Sequence, residues 1–170
     1  QKDILAFEKT YGVHLLTSTR SYSDDDFFIV GTPLCDFDWN LWPFIDQTTL
    51  QPRPLENTIP SPFQDEALEA LGQAVDQLSQ AGRRTKVVVV HHPPFNERGE
   101  PSPATRLICQ HHPKFCVFGH IHTLPRLLCL DEYNSFEDIK KLFPAIDTTI
   151  DATRFVIASS DLFRHRLQLL

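Results

Sequence analysis

Two short stretches of this sequence put histidines where a buried strand should end. Residues 86–90 are a lysine and four valines, and they run into His91-His92-Pro93-Pro94. Residues 115–118 are Phe-Cys-Val-Phe, and they run into Gly119-His120-Ile121-His122. Neutral imidazole is a ligand for zinc, iron and related metals. In an extended segment side chains alternate, so His120 and His122 point the same way. Gly119 lets the backbone turn or approach closely without a side-chain clash. Pro93 and Pro94 end the first strand and stiffen its exit. In open α/β sheets ligands bind beyond the carboxyl ends of strands, where both histidine clusters are expected. An H-x-H or a histidine pair by itself is commonly a surface feature. The signal lies in the combination, with His91, His120 and His122 as the candidate metal ligands.

The elements that must position these residues are legible from pattern. Leu68, Leu71, Val75 and Leu78 recur at helical spacing and predict an amphipathic helix. Ser61, Pro62 and Gln64 form its start signal, and Gly82 its stop. The valine run follows at once, and its lack of polar alternation predicts a strand covered on both faces. A helix feeding a buried strand is an α/β unit. Residues 3–10, 103–110 and 136–142 read as helices, the last with Glu137 and Lys141 as a four-apart ion pair. Residues 13–16, 27–30, 126–130, 154–158 and 163–169 read as strands. From 33 to 62 the prolines Pro33, Pro43, Pro52, Pro54, Pro60 and Pro62, with Trp39 and Trp42, predict a long irregular loop. No repeat or low-complexity tract interrupts the single domain expected over 1–170.

Composition limits the function classes. The chain has 170 residues, 41% of them hydrophobic and 22% charged, enough for a real core. A formal net charge of -6 argues against general nucleic-acid backbone binding, which needs a basic face. It leaves room for a phosphorylated substrate, because bound metal ions reverse the local field. No run approaches the roughly 20 apolar residues that span a bilayer, and the start has no signal-peptide pattern. Cys35, Cys109, Cys116 and Cys129 form no C-x-x-C pair and read as free thiols, which favours a reducing, cytoplasmic compartment. There is no methionine, so the chain is expected to be a processed, trimmed or partial product.

In these motifs the sequence resembles the calcineurin-like metallophosphoesterase superfamily, whose signature is D-x-H, G-D-x-x-D, G-N-H-D/E, a strand ending in His, and G-H-x-H. The last two elements match in type, order and spacing, and Phe28 to Leu34 resembles the strand and turn after G-N-H. The resemblance implies part of a two-sheet αββα sandwich and a site with two divalent ions (Mn, Fe, Zn or Co). It implies that His91 and His120 serve the second metal and His122 the first. His92 falls on the substrate side, the candidate catalytic position. The implied activity is hydrolysis of phosphomonoesters or phosphodiesters by a metal-bound hydroxide. The sequence departs from the family in lacking D-x-H, G-D-x-x-D and G-N-H, which supply the bridging aspartate. The resemblance thus implies a C-terminal portion, expected to be inactive alone, whose first partner is the missing N-terminal half of the domain. Truncation should leave a central strand edge unpaired.

Two other readings compete. One is a non-catalytic binding module or remnant that keeps both histidine motifs. The other is a mononuclear zinc hydrolase using His91, His120 and His122. The remaining candidates read as structural. Asp24, Asp25 and Asp26 form a solvated turn, His111 and His112 a loop, and His165 an exposed strand face. His14 reads as a satisfied core or edge residue.

Overall fold

The computed structural model describes residues 2–32, 64–94, 101–119 and 147–158. The chain runs α1 (Lys2–Tyr11), β1 (Tyr22–Ser23), β2 (Phe27–Thr32), α2 (Gln64–Asp76), β3 (Thr85–Val90), α3 (Pro103–Gln110), β4 (Phe115–Phe118), β5 (Asp147–Ile150) and β6 (Thr153–Ile157). The strands form one mixed sheet in the order β1-β2-β3-β4-β6-β5. The inner four are parallel, and the outer two pair antiparallel. The α/β expectation holds.

Side-chain alternation decides which face of the sheet is covered. Phe28, Val30, Val88, Val90, Cys116, Phe118, Phe155 and Ile157 are all buried on one face, and they share a core with helix residues. From α2 come Ala67, Leu71, Ala74 and Val75, with Leu78 and Ala81 from the 3-10 turn that extends it, and from α3 Ala104, Ile108 and Cys109. The predicted stripe is this surface: Leu71, Val75 and Leu78 are fully buried, and Leu68 packs against them. Gly82 ends the extension at φ 62, a left-handed conformation that glycine adopts without penalty. Two successive β-α-β crossovers of one hand put both helices on the same face. On the other face Val87 is buried, and Ile29, Val89, Val117 and Val156 are half-buried. The valine strand is thus fully covered on its helix face and less so on the other.

Among the described strands, Gly31 is the glycine at which a side chain is excluded. A Cβ there would overlap the carbonyl oxygen of Val89, its partner in the β2–β3 register.

Two expectations need correction. Residues 13–16 form no strand. The Leu15 N–H, which a ladder would need, donates instead to the Glu8 carboxylate at 2.5 Å, and only Thr17 and Arg20 bridge beyond it. The expected unpaired edge is confined to part of one parallel strand: β1 pairs only Phe28 and Ile29 of β2, and no described strand pairs Val30, Gly31 or Thr32 on that side, whereas β3, β4 and β6 each have a strand neighbour on both sides. The start signal at Ser61 and Pro62, the proline-rich 33–62 loop, the elements at 126–130, 136–142 and 163–169, His165, Cys35 and Cys129 lie outside the described residues. No helix among the described residues is long and apolar enough to cross a membrane.

Candidate functional site

The carboxyl ends of β3, β4 and β6 finish level with one another. Val90 pairs with Phe118, and Phe118 with Ile157. One rung further, the Gly119 N–H donates to the His91 carbonyl at 2.9 Å, and the Ala158 N–H donates to the Phe118 carbonyl at 2.6 Å. Parallel register therefore sets the first histidine of one motif beside the glycine of the other. His91, Gly119, Ala158 and Thr32 line a cavity of about 390 Å³ at this edge of the sheet. His91 is exposed and His92 half-buried. Their rings meet edge-on, with centroids 4.8 Å apart and planes at 88°. Pro93 and Pro94 are buried, so the turn is packed against the body. His120 and His122 follow Gly119 directly in sequence and lie outside the described residues.

A third wall of the cavity comes from the loop after α1, through His14, Leu15 and Leu16. Glu8 holds this loop. It is only 9% exposed, and its carboxylate takes the Leu15 N–H and the Arg20 guanidinium, each at 2.5 Å. Arg20 and the Leu15 N–H hold the Glu8 carboxyl below the usual carboxylate range, against a smaller opposing effect of burial. Gln77 adds a tether, donating to the Ser18 carbonyl at 2.8 Å. His14 has Nε2 3.2 Å from the Ser21 carbonyl oxygen and Nδ1 3.6 Å from Glu8. It is satisfied, as expected, but it is exposed on a loop rather than in the core or on a strand edge, and it borders the cavity. Nothing local in the sequence marks that placement.

The other candidates resolve as structure. Asp24 Oδ1 accepts the N–H groups of Asp26 and Phe27 at 2.9 and 2.7 Å. Those bonds hold its carboxyl below the ordinary range, so the triple aspartate is a turn that caps the entry to β2. His111 closes α3 and lies 3.6 Å from Asp76, and His112 sits in a tight turn at φ 49. A second cavity, of about 320 Å³, opens at the amino edge of the sheet near Arg84, Lys86 and Lys114. Arg84 donates there to the carbonyls of Ala81 and Gln80, and Lys86 to that of His111. Two of its three cations thus serve the carbonyl ends of helices.

Of the three candidate metal ligands only His91 lies among the described residues. His91 fits a ligand role, being exposed at a rigid strand end and bordering an open cavity. Among the described residues no group of three or more His, Cys, Asp or Glu comes together. The Glu8 carboxylate, which holds the loop forming this wall, is committed to Arg20 and Leu15.

The sequence reading missed Ser102 and Thr105, which tie α3 to the turn after His92. Ser102 is the N-cap, with Pro103 in the first turn and Thr105 completing a reciprocal capping box. The signal was present in the Ser-Pro-x-Thr order, the same logic that marks Ser61.

Comparison with known proteins finds no family model that matches the chain, no matching curated protein and no matching solved structure.

Proposed function

We propose that this chain supplies the imidazole side of a two-metal phosphoesterase centre. The observation that carries the reading is the register of β3 and β4. It sets His91 beside Gly119 of the Gly-His-x-His motif, on the edge of one cavity, with the 2.9 Å Gly119–His91 hydrogen bond fixing the pair. A valine strand ending in His, adjacent and parallel to a strand ending in Gly-His-x-His, is the arrangement that the metallophosphoesterase resemblance requires.

In this reading His91 and His120 hold one ion and His122 the other. His92, packed edge-on against His91, stands on the substrate side. When bound, two divalent ions supply a hydroxide nucleophile near neutral pH and charge stabilisation for the phosphoryl oxygens. The protein's own task is to hold the imidazoles rigidly, and the hydrogen bond from the Gly119 N–H to the His91 carbonyl supports this for His91. The half-buried face formed by Ile29, Val89, Val117 and Val156 suits the packing of a second sheet, which would complete a two-sheet sandwich. In this reading the D-x-H and G-N-H motifs, with the aspartate, asparagine and histidine they contribute, are supplied by another segment. The substrate is a phosphate ester. Two buried free thiols, Cys109 and Cys116, support a reducing, cytoplasmic setting.

The test is hydrolysis of bis(p-nitrophenyl) phosphate and p-nitrophenyl phosphate with Mn²⁺. It compares the 170-residue chain with the same chain joined to a segment bearing D-x-H and G-N-H. Activity confined to the joined form and abolished by His120→Ala supports the proposal. Inactivity of both forms, with the joined protein folded, would reject it in favour of a non-catalytic module.

A further inference from the structure

Two buried hydroxyls converge on the turn that follows His91 and His92. In the cap of α3, the Ser102 hydroxyl accepts the Thr105 N–H at 3.3 Å, and the Thr105 hydroxyl accepts the Ser102 N–H at 3.1 Å. Those bonds use the oxygens as acceptors, so each hydroxyl still has a hydrogen to donate. Both are directed at one acceptor outside the helix, the Pro94 carbonyl. Ser102 Oγ donates to it at 2.5 Å, and Thr105 Oγ1 donates to it as well. A carbonyl oxygen has two lone pairs and accepts both. Capping the helix does not call for either donation. Thr105 is fully buried and Ser102 is 7% exposed, so water offers little competition for the Pro94 carbonyl. At the other end of the same turn, the His91 carbonyl is held by the Gly119 N–H. The segment from His91 to Pro94 is thus pinned at both ends.

We propose that Ser102 and Thr105 are positioning residues for this turn. By holding the Pro94 carbonyl they set the direction in which the His91 and His92 imidazoles leave β3. The proposal rests on the reading of His91 as a metal ligand, and it extends that site to a helix start distant in sequence. Partners that orient a ligand without touching the metal typically govern roughly 10- to 100-fold in metal affinity.

The experiment uses the 170-residue chain with Ser102→Asp, Thr105→Val and Thr105→Ser. Aspartate caps a helix as well as serine does but has no hydroxyl hydrogen for Pro94, so it separates capping from positioning. Valine keeps the shape of threonine and removes the hydroxyl. One readout, without metal, is the proton NMR contact between the His91 and His92 rings. The other is Co²⁺ affinity by titration. Ser102→Asp and Thr105→Val should lose the ring contact and weaken Co²⁺ by roughly tenfold or more, with circular dichroism showing the fold retained. Thr105→Ser should restore both. Survival of the ring contact in either folded variant would overturn the assignment. If the unmodified chain takes up no Co²⁺, or takes it up regardless of His91→Ala, the metal reading fails instead. The ring contact alone then decides the positioning role.

Discussion

Gly31 and Gly119 both lie at the carboxyl ends of parallel strands, yet the structure predicts opposite responses to alanine. At Gly31 a Cβ would overlap the Val89 carbonyl oxygen and stand 3.2 Å from both the Val89 carbonyl carbon and its Cβ. The clash is with backbone in the β2–β3 ladder, so no rotamer change relieves it. The two strands must shift apart or the ladder must buckle. Overpacking of this kind costs about 1–3 kcal/mol, and a backbone obstacle puts Gly31→Ala near the upper end. Alanine recovers about 0.4–1 kcal/mol by restricting the unfolded chain. The net loss is about 2 kcal/mol. At about 2–4 °C per kcal/mol for a chain of this size, the melting temperature should fall by about 4–8 °C. At Gly119 a Cβ would lie 3.6 Å from the Ala158 carbonyl oxygen and 3.7 Å from that of His91, which is ordinary contact. Gly119→Ala should therefore stay within about 0.5 kcal/mol of the parent, although the motif reading assigned that glycine a steric role. Thermal and guanidinium unfolding, followed by circular dichroism, compare the three proteins. Equal melting of Gly31→Ala and the parent, or a larger loss at Gly119, would refute the steric argument.

Three further outcomes follow from the packing and the charges. Leu78 is fully buried at the centre of the helix-to-sheet core, so Leu78→Ala should lower the unfolding free energy in urea by about 2–5 kcal/mol; a loss below about 1 kcal/mol would contradict the packing. The folded-state pKa of Glu8 is depressed, chiefly by Arg20. Its contribution to stability is therefore complete above the ordinary carboxylate pKa and is lost as pH falls through the depressed value. Unfolding curves for Glu8→Gln and the parent should differ at neutral pH and converge in acid, and a gap that persists unchanged in acid would disprove the coupling. Burial pushes the Cys116 thiol well above its usual range and raises that of Cys109 to a lesser degree. Alkylation with peptide mapping should leave Cys116 unmodified in the native protein and label it after unfolding; native labelling at Cys116 would show that the core opens there.

Much of the scaffold follows from local pattern. The stripe of Leu71, Val75 and Leu78 specifies a helix with one buried face, because apolar period and helical period coincide. Gly82 ends it because that position takes φ 62. The valines at 87–90 and the 115–118 run specify strands, and the histidines at their ends belong to the carboxyl edge wherever those strands lie. The triple aspartate reads as a turn because Asp24 can satisfy its own neighbours' N–H groups.

What local pattern does not contain is which strands become neighbours and in what register. Those pairings join residues far apart in the chain, and their energy comes from burial shared across the whole sheet. The β3–β4 register sets His91 of one motif beside Gly119 of the other at the edge of one cavity. The same non-local packing makes Gly31, not Gly119, the glycine that the β2–β3 contact requires. Residues 13–16 have the composition of a strand, but Glu8 takes the Leu15 N–H first, and the loop becomes a cavity wall that carries His14. Ser102 and Thr105 announce a helix start by their spacing, while the target of their hydrogens, the Pro94 carbonyl, is set only when α3 docks on the sheet. The sequence by itself determined the type of the long periodic elements and which residues stand at their ends; the tertiary structure decided which of those ends meet and which short runs pair as strands, because contact between distant segments depends on the packing of the whole core.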